Sequence, residues 1–421
     1  MNLIKKPVTG MKDVLPAEAE LRNYVTEVIR STYAAYGFLQ IETPAVEHLA
    51  NLNSKQGGEN EKLIFRILKR GEKLKLEEAR TAQDLTEEGL RYDLTVPLVR
   101  FYSAHQAELP SPFKALQMGP VWRADRPQKG RFRQFVQCDI DILGEATNLA
   151  EIELILATTR ALANLGFSGF EVRIGDRRLL SAMATYAGFP GEQLDEVFII
   201  LDKMDKIGLD GVRTELVEAG FDAGAAQRYL SLFAALSEKQ GIEGIRFLKE
   251  TLGDCLEEKV AENLIEIIEC VSGTKEADFE LVFDPTLVRG MSYYTGTIFE
   301  ISMPEFGASA GGGGRYDRMV GKFTGQDVPA CGFSIGFERI LLLLQERGFR
   351  IPAAGTKRAF LIEKGASTGQ ISRIMQEAEA VRADGDRVLV VRMNKNKKFQ
   401  KEQLTAEGYT EIREFFNRDQ E

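Results

Sequence analysis

The stretch Val121–Gly144, VWRADRPQKGRFRQFVQCDIDILG, decides how this chain is read. Arg123, Arg126, Lys129, Arg131 and Arg133 fall within eleven residues that contain one acid, Asp125. The whole chain of 421 residues carries a formal net charge of −9, so the stretch is a local reversal of sign. Pro127 and Gly130 predict a long hairpin loop that throws these cations forward. The strand expected after it alternates, with Val136, Cys138 and Ile140 on one face and Gln137, Asp139 and Asp141 on the other. An isolated basic loop is usually a solvated turn. Here carboxylates stand directly behind the cations, which makes an amphoteric pocket. Arginine forks bind phosphates bidentately, and carboxylates can hold an ammonium or an imidazole. ATP together with an amino acid presents those complementary groups.

Working outward, Phe113–Trp122 and Gln134–Leu143 read as strands, and Asn148–Leu165 as a helix ended by Gly166. Upstream, Ala17–Tyr36 reads as a helix and Phe38–Thr43 as a strand stopped by Pro44. Ile64–Leu85 is expected to be a hairpin followed by a helix or loop. Gly89–Val96 reads as a strand running into a helix through Pro97, with Asp93 and Thr95 on one strand face. From Asp176 to about Ala277 the pattern turns helical (SAMATYAGF, AAQRYLSLFAALSEKQ, VAENLIEIIECV), an insertion between β-rich halves. Strands resume at Phe279–Phe283 and Thr297–Met303. A glycine run follows, ASAGGGGRYD at Ala308–Asp317, and then an apolar helix from near Gly336. Beyond the linker-like Pro352–Thr356, the segments Arg358–Glu363, Gln370–Arg382, Arg387–Arg392 and Lys397–Ala406 read β-α-β-α. Strands grouped apart from helices predict an α+β main body. The expected domains are residues 1–345, carrying the insertion at about 176–277, and a small α/β unit at 356–421.

Apolar residues make up 44% and charged residues 28%, a globular rather than disordered profile. The acidic balance excludes general nucleic-acid affinity, so any polyanion site must be local. Four scattered cysteines and two histidines argue against a zinc site and for a reducing intracellular compartment. With no apolar signal region and no bilayer-length apolar run, the expectation is a protein neither exported nor membrane-spanning.

Three further stretches carry chemistry. LVRGMSYYTGTIFE, Leu287–Glu300, reads as a strand with Tyr293 and Tyr294 on opposite faces. The glycine run lacks both G-x-G-x-x-G spacing and a Walker lysine, and taken alone it reads as a flexible turn. Arg339 is expected in the first turn of an apolar helix, a costly place for a cation near a positive dipole end. An anionic ligand explains it, and so does an ion pair with Glu338 or another acid.

In order, these pieces resemble the class II aminoacyl-tRNA synthetases, and the histidyl-tRNA synthetase family in particular, over roughly Gly10–Leu344. GMKDVLP at Gly10–Pro16 looks like the N-terminal signature. The strand ending at Pro44 looks like motif 1, Trp122–Asp141 like motif 2 and Gly332–Arg339 like motif 3. Arg289–Gly296 and Gly312–Asp317 look like the histidine-specific pair. The resemblance implies an antiparallel sheet flanked by helices, a homodimer in the cytoplasm, and the substrates histidine, ATP and tRNA(His), with Mg²⁺ arriving on ATP rather than in a protein metal site. It implies Arg123 at the α-phosphate, Asp125 and Phe135 at adenine, and Arg339 at the γ-phosphate. Asp93, Thr95 and Gln137 would surround the α-ammonium, with Asp141 and Tyr294 bracketing the imidazole and Tyr293 behind. Arg289 would act at the carboxylate and α-phosphate as a transition-state stabiliser, and Arg126, Lys129 and Arg131 would meet the tRNA acceptor stem. Two departures stand out: Ser292 replaces an expected Asp, and the tail after Gly355 is shorter than the anticodon-binding domain implied. Two alternatives stay open, a regulatory paralogue of ATP phosphoribosyltransferase and a histidine-activating enzyme with a non-tRNA acceptor. The complete arginine set favours the ligase.

Overall fold

Residues 3–53, 60–127, 130–288, 293–304, 307–352 and 355–418 are described by the computed structural model. The chain begins with α1 (Pro16–Ala35), β1 (Leu39–Gln40), β2 (Val46–His48), α2 (Leu49–Leu52), β3 (Arg66–Leu68), β4 (Thr86–Leu90) and α3 (Thr95–His105). Next come β5 (Phe113–Trp122), β6 (Gln134–Leu143), α4 (Leu149–Asn164) and β7 (Phe170–Asp176). Helices then dominate: α5 (Arg177–Ala187), α6 (Leu194–Leu201), α7 (Met204–Glu218), α8 (Ala223–Leu236), α9 (Gly241–Leu252) and α10 (Glu258–Thr274). After them stand β8 (Phe279–Phe283), β9 (Thr297–Met303), β10 (Ala308–Arg315), α11 (Arg318–Thr324), β11 (Ala330–Gly336) and α12 (Phe337–Glu346). The tail adds β12 (Lys357–Ile362), α13 (Thr368–Ala383), β13 (Arg387–Arg392), α14 (Lys397–Ala406) and β14 (Glu411–Phe415). Two compact units result: Met1–Asp13 with Arg22–Arg347, and Val14–Leu21 with Gly348–Glu421.

The first unit is built on an eight-stranded sheet, ordered β1-β5-β6-β11-β10-β9-β7-β8. Its inner neighbours are antiparallel, and only the edge pairs β1–β5 and β7–β8 are parallel. Helices α4 and α12 pack on β6 and β11, while α5 and α10 cover β7 and its neighbours. The helical patterns follow from spacing. In α10, Val260, Ala261, Leu264, Ile267, Ile268 and Val271 repeat every three or four residues and are buried. Helix α5 opens on Asp176, whose Oδ1 accepts from Arg178 N at 2.8 Å, and closes at Gly188 with φ +99°.

Three expectations change here. The strand expected up to Pro44 is only Leu39–Gln40, because Thr43 leaves the ladder to serve Arg91. The buried Arg91 guanidinium needs acceptors, and it takes Thr43 O at 2.7 Å and Pro120 O at 3.0 Å. The same anchorage ends β4 at Leu90, so Asp93 and Thr95 do not share a strand face. The glycine run is strand β10, not a flexible turn. A Cβ at Gly313 would lie 1.9 Å from Gly332 O, so glycine is what lets β10 and β11 approach.

Arg315, at the end of β10, clamps the sheet to α4 through a buried pair with Glu151, at 2.6 and 2.7 Å. The second unit holds a three-stranded parallel sheet, ordered β13-β12-β14. Central β12 is continuously buried from Ala359 to Ile362, as a strand covered on both faces must be. Edge strand β14 was not expected, because its alternating charges (EIREF) hide it.

Candidate active site

One face of β6 forms the floor of a cavity of about 260 Å³, into which Gln137, Asp139 and Asp141 project in alternation. Their neighbours across the ladder on β11 are Gly336, Ser334 and Gly332. Gly332 is small for a reason: a Cβ there would stand 1.9 Å from Asp141 Oδ1. That same oxygen accepts from the Tyr316 hydroxyl at 2.6 Å. Ser334 donates to Asp139 Oδ1, and Gln137 Nε2 reaches both Asp139 and Ser334.

Asp93 joins the row from the turn before α3. Its Oδ1 accepts from Val96 N at 3.1 Å, while its buried Oδ2 has no partner among the described residues. Burial pushes the Asp93 carboxyl up to about 6, with the Val96 amide and Arg123 opposing it. Burial also pushes Asp139 up to about 7, reinforced by Asp93 and opposed by Ser334. Asp141 is driven well above the usual carboxylate range, first by burial and then by Asp139. Three carboxyls packed this closely favour a cationic guest, which would relieve both effects.

The opposite end of the cavity is basic. Arg123 donates from Nε to Tyr92 O at 2.9 Å, and its guanidinium lies 5.1 Å over the Phe135 ring. The residues expected at the α-phosphate and the adenine thus touch. Arg339, in the first turn of α12, donates to Ser309 O and lines the same cavity. Glu338 is not its counter-ion, because its carboxylate is taken by Arg22 at 2.7 and 2.8 Å and by Val136 N. The hairpin loop returns as expected, with Arg123 N bonded to Arg133 O at 2.9 Å. Asp125 and Arg131 line the cavity with Nε 3.8 Å from Oδ2, and Arg126 is exposed outside it.

Tyr293 and Tyr294 both line the cavity, their rings 4.8 Å apart. The expected division onto opposite strand faces fails, because β9 begins only at Thr297 and Tyr293 lies in a turn. Tyr293 meets Thr95 through its hydroxyl and Tyr316 edge to face at 6.0 Å. Arg289, Ser292 and Lys129 lie outside the described residues. Among the described residues, no group of three or more His, Cys, Asp or Glu is placed to hold a metal ion, and no helix is long and apolar enough to cross a membrane. Ser334 and Tyr316 were not among the expected site residues, and Asp139 was expected in the carboxylate row but given no role of its own. The alternation of β6 places Asp139 in the row, but nothing local to Tyr316 or Ser334 announces their partners.

A family model described as histidyl-tRNA synthetase matches residues 10–340. The chain belongs to the histidyl-tRNA synthetase family. It is 44% identical over 413 residues to the histidine–tRNA ligase of Leifsonia xyli subsp. xyli, covering 96% of this chain and 93% of that one. The crystal structure of histidyl-tRNA synthetase from a Nostoc species superposes with a TM-score of 0.77 at 25% identity, over 97% of this chain and 90% of that one. A Bacillus halodurans structure, an ATP phosphoribosyltransferase regulatory subunit/histidyl-tRNA synthetase, shares the fold at TM-score 0.80 and 20% identity, each chain covered to 99%. The α+β body with its largely antiparallel sheet flanked by helices is accordingly the class II synthetase fold.

Proposed function

We propose that this chain is a histidine–tRNA ligase, which activates histidine with ATP and transfers it to tRNA(His). The observation that carries the proposal is a buried row of acceptors, with Asp93 Oδ2 and Gln137 Oε1 unpartnered among the described residues, in one cavity with Arg123 and Arg339. A cationic amino acid fits the first set and a polyphosphate the second. The ligase relative at 44% identity supports this reading over that of a regulatory paralogue.

In the proposed site Asp93, Thr95 and Gln137 hold the α-ammonium, and Asp141 and Tyr294 take the imidazole beside Tyr293. Arg123 and Arg339 meet the phosphates, and Phe135 and Asp125 the adenine. The histidine carboxylate attacks the α-phosphorus and pyrophosphate leaves. A terminal ribose hydroxyl of tRNA then attacks the acyl carbon of the adenylate and AMP leaves. In-line phosphoryl transfer depends on positioning and charge neutralisation, which suits a site rich in arginine. Arg289 is assigned to the carboxylate and α-phosphate on the family resemblance. Mg²⁺ is assigned to the triphosphate, which supplies its oxygen ligands. Arg126, Lys129 and Arg131 are assigned to the acceptor stem, where phosphate contacts position RNA. We assign residues 1–345 as catalytic and 356–421 as an anticodon-binding-like domain, in a cytoplasmic homodimer. Histidine-dependent ATP–pyrophosphate exchange, followed by charging of tRNA(His), tests the reading. Absence of exchange at saturating histidine and Mg²⁺ sinks it, and exchange without charging would move the acceptor elsewhere.

A further inference from the structure

A glutamine amide can present either end to a ligand, because a half turn exchanges its oxygen and nitrogen at little cost. The surroundings of Gln137 remove that freedom. The single Ser334 hydroxyl proton is committed to Asp139 Oδ1. Ser334 Oγ can then only accept at its other neighbour, which is Gln137 Nε2 at 3.2 Å. The Asp139 carboxylate also accepts from Nε2, with its oxygens at 3.2 and 3.3 Å. Two acceptors at one end of the amide force its NH₂ to that end. Oε1 is left facing away from them, buried and without a partner among the described residues, on a residue that lines the cavity. Asp93 Oδ2 is a second buried acceptor in the same state. Buried acceptors left unmatched are costly unless a ligand supplies the donors.

We propose that Asp139 and Ser334 are positioning residues that lock the Gln137 amide, so that its carbonyl joins Asp93 in seating the α-ammonium of the substrate. This rests on the histidine-activating reading. A flipped amide would turn its NH₂ on the ammonium and repel it. Asp139→Asn brings the flip about, because the new amide can donate to Gln137 Oε1 where the ionised carboxylate could only accept. Ser334→Ala removes one of the two locking acceptors, and Ser334→Thr keeps it.

The test is titration calorimetry on the full-length chain at pH 8, where Asp139 is ionised, with two ligands, histidine and 3-(imidazol-4-yl)propanoate, which keeps the ring and carboxylate but lacks the amino group. Asp139→Asn should weaken histidine binding about tenfold or more, and the deamino ligand less than about twofold. Ser334→Ala should show the same pattern at smaller amplitude, with Ser334→Thr restoring wild-type binding. ATP affinity, which the lock does not touch, should stay within about twofold in every variant and reports that the site is intact. Equal losses for both ligands would reduce Asp139 to a structural support and overturn the proposal, as would unchanged histidine affinity. A wild-type chain that ignores histidine altogether would overturn the histidine reading, and the lock with it. Histidine binding with a ligand-independent loss overturns the lock alone.

Discussion

Asp139 shows how much a single side chain can carry. In the unfolded chain its carboxyl titrates near the ordinary value of 3.8, and in the folded chain burial holds the proton until about 7. Between those values the unfolded chain has shed a proton that the folded chain keeps, so stability falls as pH rises through the window and is level on either side. Replacing the titrating group removes this slope. Urea unfolding at pH 4 and at pH 8 should therefore show Asp139→Asn gaining on the wild type by about 2–4 kcal/mol between the two pH values. A constant difference at both pH values would refute the assignment. The row to which Asp139 belongs was legible, because side chains two apart on a strand share a face. The Tyr316–Asp141 bond was not, since 175 residues separate its partners. The tyrosine pair departs from the strand pattern for a related reason. Alternation does not govern residues that precede the strand, and there both rings reach one cavity.

Among the elements, the β5–β6 hairpin was the most legible, with both strands at their expected bounds. Strong alternation and a loop marked by Pro127 and Gly130 leave few other solutions. Strand β10 was hidden, because its glycines have no local β-preference and their value lies in backbone approach to β11. The clamp from β10 to α4 was equally invisible, yet it holds a buried cation. Among the described residues, Arg315 has Glu151 as its one fully buried carboxylate, with Asp317 at 3.3 Å and the Thr147 and Glu145 carbonyls as lesser partners. Glu151→Ala should cost about 3–5 kcal/mol, because it strands that guanidinium in the interior. Chemical unfolding would measure the loss, and a cost below about 1 kcal/mol would show that the remaining acceptors suffice.

For the whole molecule, the division into two units makes a functional separation testable. A chain ending at Arg347 should keep histidine-dependent pyrophosphate exchange, since every described cavity-lining residue precedes that point. If the second unit binds tRNA, charging at limiting tRNA should fall about a hundredfold, as expected when one of two linked binding modules is lost. Charging at full efficiency would refute that role. Sequence by itself determined the periodic elements, the grouping of strands apart from helices, the reversal of charge at the hairpin and the motif order that marks the family. These are local properties, written in spacings of two to four residues and in residue type. Only the tertiary structure decided which carboxyls share one low-dielectric cavity, which end of the Gln137 amide is free, and which buried cation meets which acid. Those outcomes depend on distances between residues far apart in the chain and on the loss of water around them, and neither can be read from a neighbourhood in the sequence.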